Sequence, residues 1–113
     1  MTVRRVVPII TVPDIEAARD AYVQTLGMRE VMNHGWIITL ADDRHQLSLM
    51  TADATAAVNP TVSIEVDDVD AAHAAAVAAG LRIVHPLSDE EWGVRRFFFE
   101  DAAGNVVNVL RHR

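Results

Sequence analysis

The sequence VPDIEAA at residues 12–18 decides the fold, because it returns as VDDVDAA at residues 66–72, 54 positions later. A second pair, LGMR at residues 26–29 and AGLR at residues 79–82, follows the two copies at nearly the same spacing. In each copy an apolar run leads to an Asp, an alanine-rich stretch, a Gly and another apolar run. Because an Asp caps the start of a helix and a Gly favours its end, each copy predicts a strand, a helix and a strand.

Each copy continues into further apolar runs separated by polar turns, so each predicts a βαβββ unit. The first unit is residues 1–52 and the second is residues 60–113, within a single domain of 113 residues. A repeat of this period places two copies of one unit against each other, and a cleft between two units binds small molecules. The sequence therefore predicts an α+β fold in which two tandem βαβββ repeats form a curved mixed sheet around a cleft.

Two local features bear on how these strands are arranged. Pro8 lies within the first predicted strand, which indicates an edge strand or an irregularity. The polar stretch at residues 85–93 predicts a loop, and residues 51–60 predict the linker between the repeats. Whether the repeats pair within one chain or swap between two chains stays open. The predicted helices begin after Asp14 and Asp68, and the predicted strands are residues 6–12, 28–32, 36–40, 46–50, 61–66, 81–84, 94–100 and 106–110.

Composition and charge exclude several classes of function. The chain has no Cys, so it has no disulfide, no thiolate nucleophile and no Cys-based zinc site. Its net charge of −6 argues against nucleic acid or an anionic membrane surface as a partner. No apolar run approaches the ~20 residues of a membrane span. Because Asp14 interrupts the apolar N-terminus too early for a signal peptide, we expect a cytoplasmic protein.

Aromatic and small polar residues are the candidates for binding a ligand in the cleft. Neighbouring side chains of a strand alternate between faces, so either Phe98 or the pair Phe97 and Phe99 faces the helices, and the other set faces the cleft. The acidic run at residues 89–91 would attract a cation if it lay beside the cleft. The expected ligand contacts are Trp36, Trp92, Phe97 and Phe99 for stacking, and Thr61, Ser63 and Asn108 for hydrogen bonds.

His85 is the best candidate for a general base, because it ends a predicted strand near the mouth of the cleft. His34, His45 and His112 fall in turns or at the terminus, where exposed and uninvolved side chains are expected. A Ser-His-Asp triad is recognised by its geometry, so the sequence alone assigns none.

Four short motifs carry a resemblance to a known family. They are TVPD at residues 11–14, LGM at residues 26–28, EVDD at residues 65–68 and DAAGN at residues 101–105. In this order and at this spacing the chain resembles the vicinal-oxygen-chelate superfamily, which includes glyoxalase I, extradiol dioxygenases, fosfomycin-resistance enzymes and bleomycin-resistance proteins. Metal-dependent members carry a His on the first strand of each half and a carboxylate on the last strand. The matching positions here are Val7, Ser48, Thr61 and Asn108, so the resemblance implies no metal and no cofactor at the family's site.

The run WGVRRF at residues 92–97 is similar to the bleomycin-resistance branch of that superfamily. This resemblance implies a homodimer that holds an aromatic or cationic small molecule, such as an antibiotic, in a groove at the dimer interface without a metal. One alternative is an enzyme with lyase, isomerase or dioxygenase-like chemistry, either metal-independent or with a shifted metal site at His34, His45 or His85. Another is a scaffold or regulatory module that binds no small ligand.

Overall fold

The computed structural model describes residues 1–113 as two helices and eight strands, in the order βαβββ twice. This confirms the predicted α+β fold with two repeats. Neither helix is long and apolar enough to cross a membrane. The elements are β1 (Val3–Thr11), α1 (Ile15–Leu26), β2 (Arg29–Asn33), β3 (Ile37–Ala41), β4 (Gln46–Met50), β5 (Val62–Val66), α2 (Val69–Ala78), β6 (Arg82–Glu90), β7 (Val94–Glu100) and β8 (Val106–His112).

The two helices begin where the repeated Asp residues predicted. The side chain of Asp14 accepts a hydrogen bond from the backbone N–H of Ala17 at 3.1 Å, and Asp68 accepts one from Ala71 at 3.0 Å. Gly27 ends α1 in the left-handed conformation, with φ at 68°. Because these side chains satisfy backbone N–H groups that the helix leaves free, they fix the start of each helix.

All eight strands form one sheet in the order β2-β3-β4-β1-β5-β8-β7-β6. Within each repeat the first strand runs parallel to the last, β1 to β4 and β5 to β8. The repeats join through an antiparallel pairing of β1 with β5, from Val3 opposite Val66 to Pro8 opposite Val62. The two repeats of a single chain therefore pair with each other and together make the curved sheet.

Pro8 lies in the middle of this sheet, so the edge-strand alternative is wrong, and the register shift that β1 does show lies between Val3 and Arg5. β1 pairs with β5 as far as Pro8 and with β4 from Ile9 onward. Proline has no N–H to donate to a neighbouring strand. It is tolerated here because it lies where β1 changes from one partner to the other.

The apolar core lies between the helices and the convex face of the sheet, in one cluster for each repeat. Under α2 the helix side chains Val69 and Ala72 pack with Val66 and Phe97 of the sheet. Under α1 the buried side chains are Met28, Ile38, Leu40 and Leu49. Since each helix covers only one face of its half-sheet, the concave face is left to form a site.

β6 is longer than predicted, because most of the expected loop at residues 85–93 is strand. It continues to Glu90 in antiparallel pairing with β7, with register shifts on both sides of His85. Oppositely charged neighbours stabilise this extension, since Asp89 contacts Arg95 at 3.2 Å and Glu90 contacts Arg96 at 3.3 Å. The turn that remains is short and ends at Gly93.

Candidate functional site

A cavity of about 270 Å³ lies on the concave face, and both repeats of the same chain line it. Its floor is made by strands β1, β4, β5 and β8 at the centre of the sheet, where the two repeats join. Half of the 20 lining residues are hydrophobic. Both repeats of one chain therefore line the cavity, whereas the sequence-based resemblance implied a groove between two chains.

The floor of the cavity carries two pairs of polar side chains, one from each repeat. Thr39 Oγ1 and Ser48 Oγ are 2.8 Å apart and share a hydrogen bond. Asn108 Nδ2 donates to Ser63 Oγ at 2.8 Å. Asn108 is 93% buried, yet its Oδ1 accepts no hydrogen bond from the protein. Buried polar atoms are almost always paired, so this oxygen is a marked exception.

Two tryptophans form an aromatic wall over this floor. Trp36 precedes β3 of the first repeat, and Trp92 lies in the turn between β6 and β7 of the second. Their rings meet edge to face, with centroids 5.5 Å apart and planes inclined by 70°. The guanidinium of Arg96 lies 4.8 Å from the Trp92 ring, which is within range of a cation–π interaction. The wall therefore joins the two repeats.

Behind the wall a buried ionic network holds the linker between the repeats against β7. Arg96 Nη2 donates to Asp53 Oδ2 at 2.6 Å and to Thr55 Oγ1 at 2.9 Å. Its Nε donates to Glu90 Oε1 at 3.3 Å. Burial acts to raise the pKa of Asp53, but hydrogen bonds from Thr55 and Arg96 outweigh it and lower this pKa below its ordinary value. This network fixes Arg96, and through it the Trp92 ring.

His85 belongs to this buried network and does not line the cavity. Its Nδ1 lies 2.7 Å from the backbone oxygen of Pro86, and its Nε2 lies 3.1 Å from that of Thr55. Glu90 Oε1 is 3.3 Å from the same Nε2. Because both ring nitrogens face protein acceptors and neither reaches the cavity, the structure removes the basis for the predicted general base.

Four of the seven predicted ligand contacts line the cavity, namely Trp36, Trp92, Ser63 and Asn108. The other three do not, which corrects the sequence-based set. Phe97 and Phe99 lie on the helix side of β7, because strand alternation turns Arg96 and Phe98 to the opposite face.

Thr61 also lies outside the cavity, one residue before β5. Its hydroxyl donates to the backbone oxygen of Val106 at 3.3 Å. Ser63, two positions further along, takes the floor position because it stands opposite Val7 across the β1–β5 pairing. The repeat motif predicts that the two halves are equivalent. Which residue of this segment lines the cavity depends on the register of the antiparallel pairing between β1 and β5.

The basic side chains that line the cavity were not predicted from the sequence, and no acidic side chain lines it. They are Arg5, His34, Arg96 and His112. Side chains two positions apart in a strand face the same way, so Arg5 shares a face with Val7 in β1 and Arg96 shares one with Phe98 in β7. This alternation is the sequence signal that could have placed the two arginines in the cavity.

The predicted acidic run at residues 89–91 does not face this space. Asp89 pairs with Arg95, Glu90 is buried against Arg96, and Glu91 is exposed outside the cavity. The argument that these acids draw a cationic ligand into the site therefore loses its structural basis.

The side chains at the positions that the resemblance assigned to metal ligands do not fit a divalent metal. Val7, Ser48 and Asn108 line the floor, and Thr61 lies outside it. A metal of this class needs several nitrogen or anionic oxygen donors converging on one point. No group of three or more His, Asp or Glu side chains in the chain has the arrangement to hold a metal ion, including around His34, His45 or His85.

Comparison with known proteins places this geometry in a family. Residues 3–109 match the family described as the Glyoxalase/Bleomycin resistance protein/Dioxygenase superfamily. No curated protein sequence matches the chain.

Several solved structures share the fold. A superfamily member from Vibrio splendidus 12B01 is 19% identical, with a TM-score of 0.75 over 97% of this chain and 99% of that one. Methylmalonyl-CoA epimerase from Mycobacterium tuberculosis is 22% identical, with a TM-score of 0.72 over 94% of this chain and 85% of that one. A structure described as NAD-dependent benzaldehyde dehydrogenase from Legionella pneumophila is 14% identical, with a TM-score of 0.79 over 96% and 100%. At these identities the likeness establishes the fold alone.

Proposed function

Because this chain belongs to the glyoxalase/bleomycin resistance protein/dioxygenase superfamily, we propose that it is a binding protein for a small aromatic molecule. The cavity formed by its two repeats is the binding site. The observation that carries the proposal is the Trp36–Trp92 wall over a mostly apolar cavity with few polar groups. Such a lining is the usual chemistry of small-molecule sites. An aromatic antibiotic is one ligand class for which sequestration in this cavity would serve the cell.

Binding without catalysis is supported by the side chains that the cavity offers. General acid–base catalysis needs a titratable group within hydrogen-bond reach of the reacting atom. No carboxylate lines the cavity, both ring nitrogens of His85 face backbone or carboxylate oxygens outside it, and the two histidines that do line the cavity, His34 and His112, are exposed. The central floor carries hydroxyls and an amide, which hold a ligand but transfer protons poorly at neutral pH.

A second candidate is a metal-independent lyase or isomerase. It is favoured by the imidazoles of His34 and His112, which line the cavity beside Arg5. The fold is also that of a methylmalonyl-CoA epimerase, so it accommodates an enzyme. If this candidate is right, the protein converts a bound ligand and replacement of both histidines by Ala abolishes the turnover. If the binding protein is right, the unmodified protein returns every bound ligand chemically unchanged.

The first test is a panel of planar aromatic compounds, read by tryptophan fluorescence and by melting temperature. A ligand at 100 times its dissociation constant adds about 2.7 kcal/mol to the free energy of unfolding. Trp92→Ala should weaken binding by about 1–3 kcal/mol, because the ring forms the cavity wall. The matched control is Phe99→Ala, which removes an aromatic ring from the helix side and should lower stability but leave affinity unchanged. Failure of the whole panel to bind would contradict the proposal.

A further inference from the structure

We propose that the ligand of this cavity is a neutral aromatic carbonyl compound, whose oxygen accepts a hydrogen bond from Arg96 Nη1 while its ring packs against Trp92. This inference rests on the proposed binding function and goes beyond it by naming the ligand class and the residue that selects it. It replaces the cationic ligand that the acidic run of residues 89–91 suggested.

The guanidinium of Arg96 has one nitrogen that the protein leaves without an acceptor. Nε donates to Glu90, and Nη2 donates to both Asp53 and Thr55. An arginine side chain carries five N–H donors, and these three bonds use the one on Nε and the two on Nη2. The two N–H groups of Nη1 therefore remain free for a ligand, because they enter no hydrogen bond within the protein.

This nitrogen is accessible, and the cavity is the space it reaches. Only two fully enclosed side-chain atoms lack a hydrogen-bond partner, Arg5 Nε and Asn108 Oδ1, so the unpaired Nη1 keeps accessible surface. The Nε and Nη2 edges of the guanidinium are covered by their acceptors, and the rings of Trp92 and Phe98 lie 4.8 Å from its central carbon. Because Arg96 lines the cavity while its side chain is only 5% exposed, the open edge is the one at Nη1.

A molecule that fills the cavity must supply an acceptor at this point. In the free protein, solvent can hydrogen-bond to Nη1, and a bound ligand displaces that solvent. A ligand without an acceptor would leave a charged donor unpaired, which costs more free energy than an unpaired neutral group. The site therefore selects molecules that carry an oxygen beside the Arg96 edge.

The charges around Arg96 favour a neutral acceptor over a carboxylate. Asp53 lies 2.6 Å from Nη2 and Glu90 lies 3.3 Å from Nε, so two carboxylates already share this positive charge. A ligand carboxylate would add a third negative charge beside one guanidinium, and a buried charge is costly unless it is paired. A carbonyl oxygen accepts from Nη1 without adding charge. A cation is disfavoured as well, because no carboxylate lines the cavity.

The donor lies beside an aromatic surface, which defines where the carbonyl is attached. The Trp92 ring contacts the guanidinium and also meets the Trp36 ring, with centroids 5.5 Å apart. Flat aromatic ligands pack well on such a wall. A ligand that uses both features carries its carbonyl directly on an aromatic ring.

The test compares three probes with the unmodified protein by isothermal calorimetry. They are 2-acetylnaphthalene, 2-isopropenylnaphthalene, which has a methylene group in place of the oxygen, and the anion 2-naphthoate; all three share one heavy-atom skeleton. We expect the ketone to bind about tenfold more tightly than the alkene, because the alkene leaves Nη1 unpaired. Equal affinity of the ketone and the alkene, or tightest binding of the anion, would overturn the carbonyl inference and leave the binding function standing. Absence of binding by all three probes would contradict both.

Two variants assign the contact to Arg96. Arg96→Lys should abolish the preference for the ketone, because the three N–H donors of a lysine are matched by the three acceptors that Arg96 already serves. Arg95→Lys is the matched control, since Arg95 is the neighbouring residue of β7, pairs with Asp70 and Asp89, and lies outside the cavity. It should keep the tenfold preference. Persistence of that preference in Arg96→Lys would overturn the assignment.

A spectroscopic measurement on the unmodified protein tests the same contact without relying on a variant that folds. A hydrogen bond from a guanidinium weakens a C=O bond, so the infrared carbonyl stretch of bound 2-acetylnaphthalene should lie below its frequency in an aprotic solvent. A stretch at the aprotic frequency would overturn the contact with Nη1.

Discussion

At the scale of single residues, the unpaired oxygen of Asn108 predicts how removal of this side chain affects stability. Asn108→Leu should change the free energy of unfolding by less than about 1 kcal/mol, because the gain from removing an unsatisfied buried acceptor offsets the loss of the 2.8 Å bond to Ser63. Urea denaturation measures this change. The contrasting variant is Thr39→Val, which should lower stability by about 1 kcal/mol because it breaks the 2.8 Å bond to Ser48. Loss of stability in both variants would show that Asn108 is an ordinary structural amide.

Individual residues also predict the metal content of the protein. Val7, Ser48 and Asn108 offer one hydroxyl and one amide where the family's metal-dependent members carry ligands, so protein purified without chelator should contain far less than one divalent ion per chain. Inductively coupled plasma mass spectrometry gives this ratio. One zinc, nickel, manganese or iron per chain would contradict the prediction. If that metal were lost on mutation of His34, His45 or His85, the shifted-site enzyme would be supported.

Predictions about single residues succeed where the interaction involves only neighbours in the sequence. The helix caps at Asp14 and Asp68 were predictable, because each carboxylate accepts a hydrogen bond from the backbone N–H three residues later. This interaction needs no partner from a distant part of the sequence. The orientation of Phe97 and Phe99 could not be predicted, since alternation allows two solutions and only packing against α2 selects one. Arg96 was missed for the same reason, because its cavity position follows from the face that Phe97 takes.

At the scale of elements, the buried network predicts that the linker between the repeats detaches from β7 in acid. The pKa of Asp53 in the folded chain lies below its ordinary value of 3.8. Its ionised form therefore contributes stability that is present above that value and is lost as pH falls through the folded pKa. We expect the unfolding free energy of the unmodified protein to fall more steeply below about pH 4 than that of Asp53→Asn.

The same substitution has a second consequence at neutral pH. Asp53→Asn should cost about 1.5–3 kcal/mol, because buried Arg96 loses the charged acceptor at 2.6 Å and keeps only Glu90, at 3.3 Å, as an anionic partner. Asp43→Asn is the matched control, since its carboxylate is 97% exposed and makes only a 3.7 Å contact with Arg29, so it should change stability by less than about 1 kcal/mol. Thermal unfolding at pH 3 and pH 7 separates the two variants. Identical pH profiles for Asp53→Asn and the unmodified protein would contradict this role of the network.

Most helix and strand limits were predictable because caps, glycines and alternation mark them locally. β6 was not, because its polar residues 88–90 resemble a loop when they are considered alone. Asp89 and Glu90 become strand residues through pairing with Arg95 and Arg96. That pairing depends on a partner strand which the local pattern does not reveal.

At the scale of the whole molecule, the repeat in the sequence predicts the architecture but not how its halves combine. The motifs at residues 12–18 and 66–72 establish that there are two equivalent units. They are equally compatible with pairing in one chain or exchange between two chains. In the structure β1 pairs with β5 of the same chain, in antiparallel register. This pairing joins residues that are far apart in the sequence, so a local motif does not predict it.

This arrangement changes what the predicted homodimer means for binding. The resemblance implied a dimer with the groove between its two chains, whereas in the structure one chain lines the cavity from both repeats. The dimer therefore stays a prediction that needs light scattering at micromolar concentration. We expect one ligand per chain, with a dissociation constant that stays the same when the protein is diluted across any monomer–dimer transition. An affinity that falls as a dimer dissociates would show that a second chain contributes to the site, because only then does dissociation remove part of the cavity.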